Sequence, residues 1–279
     1  MAALASEDEV IVVDGDPARS GQPVVEKIQA DHPGAVVRYL PSAPGSALQR
    51  NVGIDAARGE VVVFTDDDCT FSPSLFDDLV PVYDGDSSLV GVTGRVIEDP
   101  RPRLGSNTDT RLRWLLVGGG REGGMNRFGM RCPILRVNEP RDVEYMPGPF
   151  MSTHRWLAAE TRFDERLTGY GLGEDNDFSY RLSRRGRVRY EPSLAVNHHE
   201  IGFRTMDHRE RDRAQIKNRI YLFRKNFSKS LGAKLGFTML IMMMFVHRAL
   251  NREWNGLRGL AEGLWQACWH DALELEPSA

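Results

Sequence analysis

Cysteine is scarce in this chain, with three residues in 279, at Cys69, Cys132 and Cys268. An odd count without metal-ligand spacing argues against a disulfide scaffold and fits a reducing, cytoplasmic compartment. A surplus of charge is also missing. Lys and Arg number 36 against 39 Asp and Glu, a net charge of −3, so bulk charge gives no reason to expect nucleic acid. The N-terminus, Met-Ala-Ala-Leu-Ala-Ser-Glu-Asp-Glu, lacks the basic start and apolar core of a signal peptide. The longest apolar run, residues 236–246, falls short of the about 20 residues needed to cross a bilayer. No internal repeat is evident, and no Gly-rich basic phosphate loop stands near the N-terminus.

What is present is enough apolar material for a core, with 41% hydrophobic and 27% charged residues. The first hundred residues alternate apolar strands with helical patterns. Strands are expected at 10–13, 36–40, 60–65 and 89–97, and helices at 24–30, 46–58 and 72–82. Such βαβα order implies an α/β fold with a largely parallel sheet flanked by helices. Ligands of such sheets bind beyond the carboxyl ends of the strands. Residues 99–145 are rich in Arg, Gly and Pro, and a mobile loop is expected around Gly118–Gly124. Further on, a helix is expected from Thr153 to Glu160, another from Glu174 ending at Gly186, and short strands at 188–190 and 196–199. A basic helix from Asp207 to Ser228 precedes a Met-rich apolar helix and a final helix at 257–269.

The chemistry concentrates at Val61-Val62-Val63-Phe64-Thr65-Asp66-Asp67-Asp68. A buried strand that delivers three carboxylates at its end creates repulsion that a cation relieves, and hard oxygen ligands suit Mg2+ or Mn2+. Asp66 and Asp68 flank one residue, so an extended turn points both to the same side. A solvated acidic loop capping the next helix is the plainer alternative. Gly173-Glu174-Asp175-Asn176-Asp177 puts acids in a first helical turn, where the helix dipole keeps them ionised. Such a carboxylate can serve as a general base, although helix capping alone also explains acids there. His198-His199 ends a strand, and adjacent residues there point to opposite faces, so at most one completes a metal site. Asp14, at the end of the first strand, is placed to accept a hydrogen bond from a base or ribose, or simply to form the turn before Gly15.

In order along the chain stand Val-Val-Asp14, Gln49-Arg50-Asn51-Val-Gly53, and Ala57-Arg-Gly59-Glu-Val-Val-Val-Phe-Thr-Asp66-Asp-Asp68. Phe163-Asp-Glu165, Gly173-Glu-Asp175 and Tyr190-Glu-Pro192 with His198 follow. This series, over about residues 8–230, resembles glycosyltransferase family 2, the inverting transferases of the GT-A fold, and in particular rhamnosyltransferase-like bacterial members. The resemblance implies a hexosyltransferase-type enzyme of cell-envelope polysaccharide biosynthesis. It would transfer a sugar from a nucleoside-diphosphate donor to a hydroxyl acceptor on a glycan or lipid-linked intermediate. Asp66 and Asp68 match the metal-binding DxD motif, and His198 matches a position that helps hold the metal or diphosphate. Asp14, Arg50, Asp66 and Asp67 fall on the donor side. Asp175 matches the proposed base, with Glu174 beside it. On this basis residues 1–203 are expected to form the GT-A domain, nucleotide-binding at 1–98 and acceptor-binding at 99–203, with 204–279 a helical extension. A nucleotidyltransferase and a non-catalytic nucleotide-sugar binder are the alternatives. The resemblance also departs from the family, whose members begin with one further βα unit before the strand that ends at Asp14. Either the true start lies upstream, or this form is shortened, or the missing strand is replaced; a chain that begins at Met1 is expected to have an incomplete nucleotide pocket and an open sheet edge.

The C-terminal extension is basic, with Arg204, Arg209, Arg211, Arg213, Lys217, Arg219, Arg224, Lys225, Lys229 and Lys234. The Met239–Phe245 run and Trp254, Trp265 and Trp269 follow it. Basic, apolar and aromatic residues together suit an interfacial helix at the cytoplasmic face of the plasma membrane. Packing on the core or on a second subunit of a homo-oligomer is the alternative.

Overall fold

The computed structural model describes residues 8–98, 121–132, 134, 138–167, 172–199, 207–227 and 230–269. Part of the expected Gly118–Gly124 loop, with Gly169, Gly171, Arg204 and Lys229, lies outside them. Contacts divide the chain into two units, residues 1–101 with 134–200, and residues 102–133 with 201–279. The described segment 121–132 thus groups with the C-terminal helices, whereas the expected boundary at 203 had put it with the N-terminal part.

The first unit runs β1 (Glu9–Asp14), α1 (Gln22–Asp31), β2 (Val36–Pro41), α2 (Ser46–Ala56), β3 (Val61–Phe64), β4 (Cys69–Phe71) and α3 (Leu75–Asp84). Then come β5 (Leu89–Glu98), β6 (Arg141–Val143), β7 (Met151–His154), α4 (Arg155–Thr161), α5 (Glu174–Ser183) and β8 (Arg187–His198). The α/β class expected from the alternation is present. Strands β1 and β2 pair in parallel, as do β5 and β8. Strand β7 runs antiparallel between β3 and β5, and β4 and β6 run antiparallel to β8. The strands form two sheets, β1-β2 and the six-stranded β3-β7-β5-β8-β4 with β6 on β8.

Among the described residues no strand joins β1 to β3. Side chains bridge them instead. Glu9, opening β1, accepts from the Arg58 and Gly59 N–H groups just ahead of β3. Arg38 on β2 reaches Glu9 at 3.1 Å and the Ala56 carbonyl at 2.7 Å. Burial lifts the Glu9 carboxyl, and the hydrogen bonds from Arg58, Arg38 and Gly59 outweigh it, leaving Glu9 below the usual carboxylate range.

Two local expectations are corrected. Thr153 belongs to a strand, not a helix. It lies between β3 and β5, where its hydroxyl donates to the Val90 carbonyl at 2.7 Å, and β-branched Thr suits that setting. The two short strands at 188–190 and 196–199 are one, β8. Pro192 lies inside it, and the register with β5 shifts between Gly94 and Arg95, a bulge that accommodates the proline. Gly94 is required there, since a Cβ would collide with the Leu194 carbonyl. Strands β4 and β6, of three residues each, are too short for periodicity to reveal.

The core under the sheet's carboxyl end is aromatic. Phe163 and Phe178 stack at 4.1 Å, and Phe64 meets both edge-on at 5.1 and 5.8 Å. All three are buried. They fasten the end of β3, the segment after α4, and α5 to one another, which fixes the platform on which the acidic residues stand.

The second unit contains α6 (His208–Asn226), α7 (Leu231–Leu250) and α8 (Trp254–Trp269). Phe223 and Phe237 stack at 4.1 Å between α6 and α7. The apolar run read as too short for a bilayer lies in a 20-residue helix, because its flanks are helical too. By length and composition alone this helix could cross a membrane. It buries Ala233, Phe237, Leu240 and Ile241, while Leu231, Leu235, Met239, Met242, Val246 and Leu250 are exposed.

Candidate active site

Helix α2 carries the residues that organise the site. Gln49 donates to the Val13 carbonyl at 2.8 Å, tying the helix to β1. Asn51, only 1% exposed, donates to the Phe163 carbonyl at 2.9 Å and to Glu165 at 2.7 Å, and accepts from the Phe163 N–H at 2.8 Å. Two of the sequence motifs, about 110 residues apart, thus dock through one buried amide. Between them Arg50 opens its fork. One end donates to Glu174 at 2.8 Å and the other to Asp66 at 3.0 Å, with the guanidinium 5.3 Å from the Phe163 ring. Arg50 therefore links the acidic triplet to the first turn of α5 with charge-assisted hydrogen bonds.

Gly173 adopts φ +105° and precedes α5. A glycine is needed for that left-handed conformation, and it turns the chain so that Glu174 points inward. Glu174 is buried and accepts from Ser46 and Arg50. Burial first, and then the Asp175 charge, push its carboxyl up to about 7, against the pull of Arg50. Asp175 is partly open, and one of its oxygens accepts from the Asn176 N–H at 2.7 Å and side-chain amide at 3.0 Å. Burial also raises Asp66, opposed by Arg50 and His198. A methyl group placed on Gly148 would lie 3.4 Å from Arg50 Nη2, 3.8 Å from Asp66 Oδ2 and 4.0 Å from Asp175 Cβ. These groups converge on space that the absent side chain leaves free.

The other half of the triplet faces β8. His198 Nε2 lies 3.2 Å from Asp68 Oδ1. The neighbouring His199 turns away, with its ring 3.1 Å from the Thr70 hydroxyl, so one of the two histidines faces the acids, as alternation along a strand requires. Cys69 pairs with His198 across the β4–β8 ladder. Donor atoms of Asp68, Cys69 and His198 lie within 4.8 Å of one another. An oxygen, a sulfur and a nitrogen at that spacing fit a divalent cation.

The comparisons with known proteins agree with this geometry. The description Glycosyl transferase family 2 matches residues 2–134. That match spans just under half of the chain. The chain shares the GT-A fold of its structural neighbours. GalNAc-T7, solved with UDP, GalNAc and Mn2+, aligns at TM-score 0.54 and 19% identity over 77% of this chain and 41% of its own. This chain thus spans about two fifths of that protein. The mannosyltransferase PcManGT of Pyrobaculum calidifontis, solved with GDP-Man and Mn2+, aligns at 0.54 and 16% identity, over 94% of this chain and 78% of its own. TarS 1-349 of S. aureus, in complex with UDP-GlcNAc, aligns at 0.53 and 17%, over 93% and 72%. No curated protein matches the chain.

The residues singled out in the sequence fall into separate groups. Arg50, Asp66 and Asp175 come together around Gly148, with Glu174 joined through Arg50, and Asp68 and His198 form a pair of their own. Asp66, expected beside Asp68 as a ligand, has one oxygen held by Arg50. Asp67, expected on the donor side, is exposed between the two flanking acids. Asp14 stands in a turn of its own. It accepts from the Asp16 N–H at 2.8 Å, the Gly21 N–H at 2.9 Å and the Tyr39 hydroxyl at 3.0 Å. The Asp16 N–H chiefly, with Gly21 and Tyr39, holds its carboxyl below the ordinary value. Gly148, Cys69 and Ser46 were not singled out by the sequence reading. Gly148 in Pro-Gly-Pro looks like a turn, Cys69 has no partner cysteine, and the partner of Ser46 lies 128 residues away.

Proposed function

We propose that this chain transfers a hexose from a nucleoside-diphosphate sugar to a hydroxyl acceptor, with inversion at the anomeric carbon. The observation that carries the reading is the Arg50 fork joining Asp66 to Glu174 beside the Asp68–His198 pair. Donor-side and acceptor-side groups then line one cleft. Nucleotide sugars or nucleotides are bound in the GT-A neighbours, and the family match over residues 2–134 supports the same ligand class here.

Asp68 and His198, with Asp66 adjoining, would hold Mg2+ or Mn2+. Such an ion, when bound, neutralises charge on a departing diphosphate. The chain's own residues do the rest. Arg50 holds Asp66 toward the cleft, and Glu174 keeps Arg50 in place. The Asn176 amide fixes one oxygen of Asp175 and leaves the other for the acceptor. That oxygen takes the hydroxyl proton as the acceptor oxygen attacks the anomeric carbon from the face opposite the leaving group. A single displacement needs no enzyme nucleophile, so positioning supplies much of the rate. Asp14, held in its own turn, shapes the β1 end of the donor cleft, with Asp67 at its mouth.

Turnover of a panel of nucleotide sugars with Mn2+ tests the reading, after thermal shift has selected the donor. Asp68→Ala should abolish turnover. Binding of a donor without hydrolysis or transfer by the unaltered protein would instead favour a non-catalytic binder.

The acceptor belongs to a glycan or lipid-linked intermediate of the cell envelope, and the second unit supports work at a cytoplasmic membrane face. On α7, residues 231, 235, 239, 242, 246 and 250 recur every three or four positions, a stripe about 30 Å long at helical rise. Its opposite face is packed on protein, which favours lying on a bilayer over crossing it. Residues 207–269 hold 12 Lys and Arg against five acids, a balance suited to anionic lipid. Full-length protein should co-sediment with anionic vesicles and not with neutral ones, and Met242→Glu should weaken that binding. Equal recovery with both vesicle types, or none, would count against it and leave packing on a second copy as the role of the stripe.

A further inference from the structure

We infer that the cation site beside the acidic triplet is a mixed oxygen–sulfur–nitrogen site in which the Cys69 thiolate is a ligand, with a preference for a borderline-soft ion such as Zn2+ or Co2+ over Mg2+. The inference rests on the proposed function for the location of the site and goes beyond it in the ligand set and the ion.

Three observations carry it. The first is register. Cys69 and His198 are directly opposed on antiparallel strands, and opposed residues project from the same face of a sheet with their Cβ atoms about 5 Å apart. A ligand-donating sulfur and nitrogen are therefore brought side by side by backbone pairing. The second is proximity. Asp68 completes a set whose three donor atoms lie within 4.8 Å of one another, and its Oδ1 is 3.2 Å from His198 Nε2. The third is what the other acid is doing. Asp66, which would make the site richer in oxygen, has one carboxylate oxygen on Arg50 at 3.0 Å. Arg50 is in turn anchored by Glu174 at 2.8 Å.

The ligand types then decide the ion. Mg2+ takes oxygen ligands in near-ideal octahedral geometry and leaves thiolates alone. Thiolate and imidazole favour Zn2+ and Co2+. Three protein ligands with a fourth position open is the arrangement of a zinc site that accepts a further ligand. In this chain that position is available to a diphosphate oxygen. Binding displaces the thiol proton to solvent as the S–metal bond forms, so no redox partner is involved.

The other cysteines provide controls. Cys132 is buried and Cys268 exposed, and neither belongs to the cluster. Co2+ is added alone to the full-length protein, and the near-ultraviolet sulfur-to-cobalt absorption band is followed. The unaltered protein, Cys132→Ser and Cys268→Ser should all develop the band, and Cys69→Ser should lose it. Zn2+ should displace the band at stoichiometric addition, and Mg2+ should leave it in place even in large excess. A band that persists in Cys69→Ser, or is absent from the unaltered protein, overturns thiolate ligation. If Mn2+ still promotes nucleotide binding in that case, only the ligand set is wrong. If Mn2+ has no effect either, the metal part of the proposed function falls with it.

Discussion

Each unit of this protein encloses an acid against an arginine, and the two clusters do opposite things with the same chemistry. In the helical unit Asp212, on α6, is fully buried. Arg248 of α7 meets both its oxygens, at 2.7 and 2.8 Å, and Arg211 lies at 3.6 Å. Glu253 closes on the same arginine, and burial of Arg248 is outweighed by the hydrogen bonds it donates to Glu253 and Asp212, which keep it charged. Gly256 packs so closely on Asp212 that a Cβ there would collide with its carboxylate. The cluster is closed and leaves no room for a ligand. In the sheet unit Arg50 likewise bridges Asp66 and Glu174, but Gly148 leaves space beside it. Asp175 stays partly open, and the Glu174 carboxyl is displaced to about 7. Enclosure with all charges matched builds a fastening. Partial enclosure with an excess of acid builds a place where a cation or a proton is wanted.

That contrast can be broken by substitution. The largest effect is expected at the fastening. Asp212→Ala leaves Arg248 buried with less compensation and should cost about 3–5 kcal/mol of stability in urea melts. A loss below 1 kcal/mol would mean the helical unit does not depend on the pair.

Asp175→Asn should do the reverse. The melting temperature should hardly move and donor binding should persist, while turnover falls by roughly 100-fold to 10,000-fold. Near-normal turnover would remove Asp175 as the base.

Glu174→Gln sharpens the comparison through pH. With its carboxyl at about 7 in the fold against an ordinary 4.5, the native state holds the proton more tightly than the unfolded chain. This contribution favours the fold below pH 4.5 and fades as pH rises toward 7, a difference of up to about 3 kcal/mol. Glu174→Gln, measured in EDTA at about pH 5 and about pH 8, should flatten that slope. An unchanged slope would show that another group is responsible.

The smallest effect is expected at Gly148→Ala. Its methyl meets nothing nearer than 3.4 Å, so stability should stay within about 0.5 kcal/mol, while nucleotide-sugar affinity measured by titration calorimetry should fall about tenfold. Unaltered affinity would mean that the donor does not enter the space beside Arg50.

Much of the first unit could be read in advance. The strand ending in Asp66-Asp67-Asp68, the helix opened by Glu174 and the family 2 resemblance all rest on local patterns. Other features could not be read locally. Thr153 looked helical because its neighbours are, yet its place between two strands decides its conformation. Cys69 looked inert because a thiol is recognised in a sequence by a nearby second ligand, and its partner His198 is 129 residues on. Asp14 could be read either as a base or ribose contact or as a turn former, and only the structure shows its carboxylate accepting from Asp16, Gly21 and Tyr39.

By itself, the sequence determined the alternating strands and helices, the order of acidic motifs and the charge of the C-terminal helices. Each follows from periodicity, propensity or composition within a short stretch. Only the tertiary structure decided that Arg50 spans two motifs, that Asp66 and Asp68 face different partners, and that one acid–arginine cluster is closed while the other has space. Those outcomes depend on distances between residues remote along the chain, which packing sets and local sequence does not encode.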